Sequence, residues 1–228
     1  MKLAKRKISL RMAWMIVLGF LILGSFGVCI NGEAAMSTGG KAGLMKLGDT
    51  APDFKLPDVV TGKEVTLGNF KDSKVLLVAV ICRHCPFVQH VKKELVRLGR
   101  DYQGKGLAIV AISANDPAGY PEDAPGKLKE MALEAGFTFP LVFDETQATA
   151  KAYTAVSTPD FFLFDQERKL VYRGQFDDSR PKSGIPVTGK DVRVAIDAVL
   201  GGRPVSQNQR PSVGCSIKWK PGKNPDYR

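Results

Sequence analysis

Two cysteines separated by two residues, Cys82 and Cys85, are the side chains of this sequence best suited to chemistry. They stand between an apolar, β-branched run at 75–81 and a stretch with helical periodicity that begins at Pro86. The N-terminus of a helix has unpaired N–H groups and the positive end of the helix dipole, and both stabilise a thiolate. The pattern therefore predicts a redox-active pair.

The two residues inside the motif, Arg83 and His84, would place cationic or polarisable groups beside the thiolate. Cys82, nearer the helix cap and more exposed, is expected to have a pKa below that of a free cysteine and to exchange with the substrate. Cys85, one turn further on, is expected to resolve the mixed disulfide. His84 would favour the reduced form of the pair.

A metal site is the alternative chemistry for the same cysteines. The remaining candidate ligands are His84, His90, Cys29 and Cys215. A structural zinc site usually has four ligands with a second cysteine pair, and the other two cysteines are far away in sequence. His90 lies five residues beyond Cys85, about 140° around a helix, so it should point elsewhere. We expect no metal and no cofactor, and a thiolate metal-binding module stays as an alternative.

The elements around the motif alternate between strands and helices. This order, followed by a hairpin and a last helix, predicts an α/β domain with a mixed sheet. The expected strands are 53–56, 63–67, 75–81, 107–113, 139–143, 161–164 and 169–173, and the expected helices are 86–102, 127–135, 146–155 and 190–200.

The Cys-x-x-Cys at a helix start, together with Thr158-Pro159 before a later strand, resembles the thioredoxin fold. The resemblance implies that Pro159 is cis and faces the cysteines. It also implies that Thr158 offers backbone groups to a substrate strand beside Cys82. The opening APDFKLPD at 51–58 is similar to the redoxin branch of that superfamily.

Longer segments are similar to one peroxiredoxin-like, AhpC/TSA-related family of redoxin-domain proteins. They are HCPFV (84–88), SANDPAGYPEDAP (113–125), GFTFPLVFDETQATAKAY (136–153), TPDFFLFD (158–165), YRGQFDDSRP (172–181) and PSVGCSIKWK (211–220). The resemblance covers about 46–222. It implies a thioredoxin-like fold, with a mixed central β-sheet flanked by helices, a redoxin-type N-terminal extension and a C-terminal tail.

The sequence departs from its relatives at the chemistry. A peroxiredoxin site reads Pro-x-x-x-Thr-x-x-Cys, and for Cys82 the first two positions hold Val75 and Ala79. Neither cysteine of the pair has that setting. The strand at 75–81 also contains no carboxylate, so it cannot supply the buried acid that assists proton transfer in thioredoxin.

Cys215 is the third cysteine of the predicted domain and lies in a tail punctuated by prolines. One interpretation buries Val213, Cys215 and Ile217 together on one side of an extended segment. The other makes Cys215 a third redox cysteine that exchanges with Cys82, provided that the tail crosses near the helix start.

Charge and hydropathy divide the chain into four parts. Residues 1–35 hold five basic residues and a run without charges at 13–30, which indicates a signal peptide or a membrane anchor. A linker at 36–48, a thioredoxin-like redoxin domain at 49–202 and a basic tail at 203–228 follow. The domain itself is nearly neutral, which argues against binding nucleic acid.

Three functions are compatible with these observations. The leading hypothesis is an exported, periplasmic or extracytoplasmic thiol–disulfide oxidoreductase that acts on protein or small-molecule thiols and disulfides. It would contact the membrane through its N-terminal segment if that segment is not cleaved. The second is a peroxiredoxin-like antioxidant in which Cys82 attacks peroxide and Cys85 or Cys215 resolves. The third is a non-enzymatic metal-binding module.

Overall fold

A computed structural model describes residues 43–227 of the chain. The predicted signal peptide or anchor at 1–35 lies outside the described residues, as does the linker up to residue 42. Among residues 43–227, no helix combines the length and the apolar character needed to cross a membrane. Residues at the end of the predicted linker are attached to the domain, because the Met45 N–H donates to Thr154 Oγ1 at 2.8 Å and the Gly48 N–H to the Leu170 carbonyl at 2.8 Å.

The described chain alternates strands and helices in the expected order. The strands are β1 (Lys55–Pro57), β2 (Glu64–Thr66), β3 (Val75–Val80), β4 (Leu107–Ser113), β5 (Leu141–Phe143), β6 (Ser157–Thr158), β7 (Asp160–Phe164), β8 (Leu170–Gly174) and β9 (Cys215–Ser216). The helices are α1 (Pro86–Asp101), α2 (Pro125–Ala135), α3 (Ala148–Ala152) and α4 (Lys190–Leu200).

A five-stranded mixed sheet forms the centre of the domain, in the order β5-β4-β3-β7-β8. β3 pairs in parallel with β4 and antiparallel with β7, and β7 and β8 form the predicted hairpin. Every residue of β3 is buried. A continuous apolar run is the pattern expected of a strand that is covered on both faces.

The two faces of the sheet are covered by different elements. Leu77 and Ala79 of β3 pack in one cluster with apolar residues of α1, α2 and α4, while Leu76 and Val78 point to the opposite cluster, with Phe54 and Tyr153. This alternation is the period of two that a strand imposes on its side chains. The architecture is thioredoxin-like, as the resemblance implied.

Two helices differ from their expected bounds. α2 begins at Pro125 instead of residue 127, because proline is tolerated in the first helical turn, where its missing N–H has no intrahelical acceptor. α3 is only five residues long. It is preceded by Gln147, whose φ of 63° is not helical, so the chain cannot be helical from residue 146 as expected.

The C-terminal tail crosses the end of the sheet and forms a short strand that periodicity did not predict. Its backbone is held by the Gln175 N–H, which donates to the Arg210 carbonyl at 2.9 Å, and by Asn115 Oδ1, which accepts the Lys218 N–H at 2.8 Å. Ile217 is buried, whereas Val213 is 45% exposed. The expectation that both lie on one buried side is therefore wrong for Val213.

Candidate functional site

The cysteine pair lies at the carboxyl end of β3, directly before α1. Cys82 and Cys85 are both 0% exposed. Cys85 is the N-cap residue of α1, and Pro86 is its first residue. The expectation that Cys82 is the more exposed sulfur nearer the cap is wrong, because the helix begins only after the second cysteine. The three described cysteines, at positions 82, 85 and 215, are all free thiols.

Thr158 and Pro159 face the two sulfurs. The peptide bond between them is cis, as the resemblance implied. Thr158 Oγ1 lies 3.3 Å from Cys82 Sγ, and the Thr158 carbonyl accepts a hydrogen bond from the Cys85 thiol at 3.0 Å. A single residue therefore fixes the positions of both sulfurs.

A buried carboxylate, Asp123, stands beside the pair. It accepts hydrogen bonds from the backbone N–H groups of Arg83 at 2.7 Å and His84 at 3.0 Å, and from Asn115 Nδ2 at 2.8 Å. It also forms a very short contact with His84 Nδ1. Cys82 Sγ, His84 Nδ1 and a carboxylate oxygen of Asp123 all lie within 4.8 Å of one another.

Asp123 is the site residue that the sequence reasoning missed. A buried acid was expected only in the strand at 75–81. The Asp123 carboxylate comes instead from a single 3-10 turn, Pro121–Asp123, in the loop after β4. The segment SANDPAGYPEDAP, which contains both Asn115 and Asp123, already stood out in the family resemblance. It was the available signal.

The two residues between the cysteines point in different directions. His84 Nδ1 lies 3.9 Å from Cys82 Sγ, and the ring stacks on Tyr120 with centroids 5.0 Å apart. The Arg83 guanidinium instead donates to Glu130 at 2.8 Å and to the Lys127 carbonyl at 3.1 Å. The expectation that Arg83 places its charge beside a thiolate is wrong, because surface acids neutralise it.

The surroundings of the two sulfurs shift their pKa values in opposite directions. The pKa of the Cys82 thiol is raised by its hydrogen bond with Cys85, by its burial and by the nearby Asp123 carboxylate. Hydrogen bonds from the Cys82 thiol, the Cys215 thiol and the Val88 N–H lower the pKa of Cys85, against the opposing effect of burial. The expected depressed pKa of Cys82 is therefore wrong.

The tail brings Cys215 close to the cysteine pair. β9 pairs antiparallel with β6, with Ser216 opposite Ser157 and Cys215 opposite Thr158. The thiol and the backbone N–H of Cys215 are among the groups that lower the pKa of Cys85. The backbone edge at Thr158, which was expected to bind a substrate strand, is thus occupied by the protein's own tail. Cys215 meets Cys85, whereas the sequence-based hypothesis paired it with Cys82.

A sequence profile of the AhpC/TSA family matches residues 47–173, more than half of the chain. The chain belongs to the AhpC/TSA family. A solved structure of an uncharacterized conserved protein from Geobacillus kaustophilus is 55% identical, with a TM-score of 0.76 over 78% of this chain and 94% of that one.

Two further relatives share less sequence with this AhpC/TSA family member. A hypothetical protein from Sinorhizobium meliloti 1021 is 50% identical, with a TM-score of 0.77 over 78% of this chain and 97% of that structure. The thiol-disulfide oxidoreductase ResA of Bacillus anthracis is 27% identical over 129 residues, which are 56% of this chain and 68% of that protein.

The atoms of this AhpC/TSA family member best placed to hold a metal ion are those of Cys82, His84 and Asp123. The carboxylate already accepts hydrogen bonds from two backbone N–H groups and an amide, so an ion would have to compete with these donors. His90, the other histidine considered from the sequence, bonds Ser179 Oγ at 3.1 Å instead. The geometry thus replaces His90 by Asp123 in any metal hypothesis.

Gly214 allows the tail of this family member to approach β6 closely. A Cβ atom at this position would overlap the Thr158 carbonyl and come within 2.7 Å of its carbon. We expect Gly214→Ala to detach β9 and to increase alkylation of Cys82 and Cys85 in the native state by about tenfold or more, since buried thiols react only after local opening. Peptide mass spectrometry after a timed iodoacetamide pulse measures this.

Gly126→Ala is the matched control, because a Cβ there meets nothing within 4 Å. It should leave the alkylation rates of all three domain cysteines unchanged. Equal rates for Gly214→Ala and the wild type would contradict a role of the tail in covering the pair.

Proposed function

We propose that this protein is a thiol–disulfide oxidoreductase whose Cys82 and Cys85 cycle between a dithiol and a disulfide. The observation that carries the proposal is that Thr158 contacts both sulfurs, Cys82 Sγ at 3.3 Å and Cys85 Sγ at 3.0 Å, at the N-terminus of α1. Once Cys85 is in a mixed disulfide, Cys82 lies beside it and can attack it, which is the geometry that disulfide closure needs.

Each cycle moves two electrons. In the reducing direction, a substrate disulfide accepts both electrons and leaves as two thiols, while Cys82 and Cys85 become a disulfide. Closure requires that Cys82 lose its proton and attack Cys85 in a mixed disulfide, from which a substrate thiolate departs. Asp123 and His84, beside Cys82 Sγ, are the groups placed to accept that proton. In the oxidising direction the same steps run in reverse.

We place this activity outside the cytoplasm, at the periplasmic or other extracytoplasmic face of the membrane. The support is the N-terminal segment, with its basic residues followed by an apolar run. The partners would be protein or small-molecule thiols and disulfides. The membrane would be a further partner if that segment remains attached.

The decisive experiment is a redox titration of the full-length protein in glutathione buffers, with quenching by acid and peptide mapping of each disulfide. We expect a reversible Cys82–Cys85 disulfide with a single midpoint potential. A chain in which this disulfide never forms at any buffer ratio would overturn the proposal. Consumption of hydrogen peroxide, measured in parallel, tests the antioxidant alternative with Cys82 as the attacking sulfur.

Asp123→Asn should slow disulfide closure by about 100-fold, since a positioned proton acceptor typically contributes between 10² and 10⁴ in rate. Stopped-flow mixing of the reduced protein with a small aromatic disulfide separates this step from the first exchange. Glu122→Gln is the control, because Glu122 is exposed and its carboxylate lies 3.6 Å from the Arg83 guanidinium. Faster closure in Asp123→Asn would mean that the carboxylate acts only by raising the Cys82 pKa.

A further inference from the structure

The buried pair has no direct route to an external disulfide. Cys82 and Cys85 are fully buried, while Cys215 is partly exposed. Thiol–disulfide exchange requires a thiolate to approach one sulfur of the disulfide directly, so a sulfur without solvent contact cannot begin the reaction with a protein substrate. Among the cysteines that the structure describes, Cys215 is the one that a substrate can reach.

Thr158 contacts all three cysteines. Its carbonyl accepts from the Cys85 thiol at 3.0 Å, and its hydroxyl lies 3.3 Å from Cys82 Sγ and 3.5 Å from the Cys215 carbonyl oxygen. Cys215 is its direct partner across the β6–β9 pair, where opposing Cα atoms lie about 4.5–5.5 Å apart. Cys215 also packs against the buried cluster that contains Cys82 and Cys85.

We propose that Cys215 is a third catalytic cysteine, which exchanges with the external substrate and relays electrons between it and the buried pair. The proposal rests on the proposed function, because a relay needs the Cys82–Cys85 disulfide as its other end. β9 would then have a chemical role beside Thr158, in addition to pairing with β6.

The relay balances in three exchanges when a substrate disulfide is reduced. Cys215 passes its proton to the Cys85 thiolate and attacks the substrate, forming a mixed disulfide and releasing the first substrate thiolate, which takes up the proton from Cys85. The Cys85 thiolate then attacks Cys215 Sγ, the second substrate thiolate leaves, and a Cys85–Cys215 disulfide forms.

The last exchange is internal. Cys82 loses its proton toward His84 and Asp123 and attacks Cys85, and the Cys215 thiolate is released and reprotonated. The net result is one Cys82–Cys85 disulfide, one substrate thiol and one substrate thiolate, which takes its proton from solvent. Two electrons and one proton have passed from the protein to the substrate, and no other reductant is needed.

The kinetic test uses the reduced full-length protein and an aromatic disulfide whose released thiolate absorbs light. We expect Cys215→Ser to slow release of the aromatic thiolate by about tenfold or more, because the reachable nucleophile is gone. The Cys82–Cys85 midpoint potential in glutathione buffers should be unchanged. Ser216→Ala, an exposed neighbour on the same strand, is the control and should react at the wild-type rate.

A trapping variant keeps the test independent of the folding of Cys215→Ser. In Cys82→Ser the last exchange is blocked, so one equivalent of the aromatic disulfide should yield a Cys85–Cys215 disulfide. Peptide mapping identifies this link and separates it from Cys29. A mixed disulfide on Cys85 with Cys215 still free, or wild-type rates in Cys215→Ser, would overturn the relay. A wild type unable to form the Cys82–Cys85 disulfide would instead refute the proposed function.

Discussion

Replacing Cys85 with serine should remove the thiolate at neutral pH, abolish the Cys82–Cys85 disulfide and slow the first exchange with an external disulfide by about 30-fold or more. The Cys82 that remains has a pKa raised by its burial and by Asp123, so it ionises less than the few per cent of a free cysteine at pH 7. Ultraviolet thiolate absorbance across a pH series measures the ionisation, and stopped-flow exchange measures the rate.

The pH dependence of the wild type has a definite sign. The hydrogen bond that Cys85 accepts from Cys82 lowers the pKa of Cys85. We therefore expect the Cys85 thiolate to persist at neutral pH and to be lost only as the pH falls through that lowered value. Cys82→Ser keeps a hydroxyl donor, whereas Cys82→Ala removes the donor and should raise the pKa of Cys85 further. A neutral-pH thiolate that survives in Cys85→Ser and disappears in Cys82→Ser would show that the first proton leaves Cys82.

Arg173→Met should destabilise the domain by about 3–5 kcal/mol, because removal of one partner from a buried ion pair leaves the other charge buried without a partner. Its guanidinium lies 3.4 Å from the carboxylate of Asp160, which is 1% exposed, and also donates to the Thr154 carbonyl at 2.7 Å. Asp160 in turn accepts from Ser212 in the tail at 2.7 Å. Urea unfolding measures the change in the free energy of unfolding.

The loss should depend on pH in a way that identifies Asp160. Burial raises the pKa of Asp160 and the Arg173 cation lowers it. Arg173→Met should therefore raise the pKa of Asp160 further. A carboxyl whose folded pKa is raised contributes less stability as the pH rises through that value, so the variant should recover stability in acid. Arg97→Met should change stability by less than about 0.5 kcal/mol, because the Arg97 side chain is 70% exposed and Glu94 keeps its ion pair with Arg193. A loss of unfolding free energy that does not vary with pH would exclude the unpaired charge of Asp160 as the cause.

The sheet and the main helices were predictable because their signals are local. β3 and β4 are continuous apolar runs, and α1 shows a buried face at spacings of three and four residues. β9 has only two residues and no periodicity. It exists because Gly214 lets Cys215 approach Thr158, which is 57 positions away in sequence. No local pattern contains that contact.

The site was predictable in its residue types but not in its electrostatics. Cys82, Cys85 and Thr158 do lie together as the motifs implied. Which sulfur ionises first depends on where α1 begins and on the carboxylate of Asp123, which reaches the pair from another loop. Both are decided by tertiary packing, and neither can be inferred from the spacing of the cysteines.

The strand that covers the cysteine pair is also among the last parts of the chain to be synthesised. Cys82 and Cys85 leave the ribosome well before Cys215, since the whole of α2, α3 and α4 separates them. In a nascent chain the pair therefore stands uncovered while most of the sheet can already assemble. The backbone pairing beside the two sulfurs is therefore completed only when the C-terminal strand has been made.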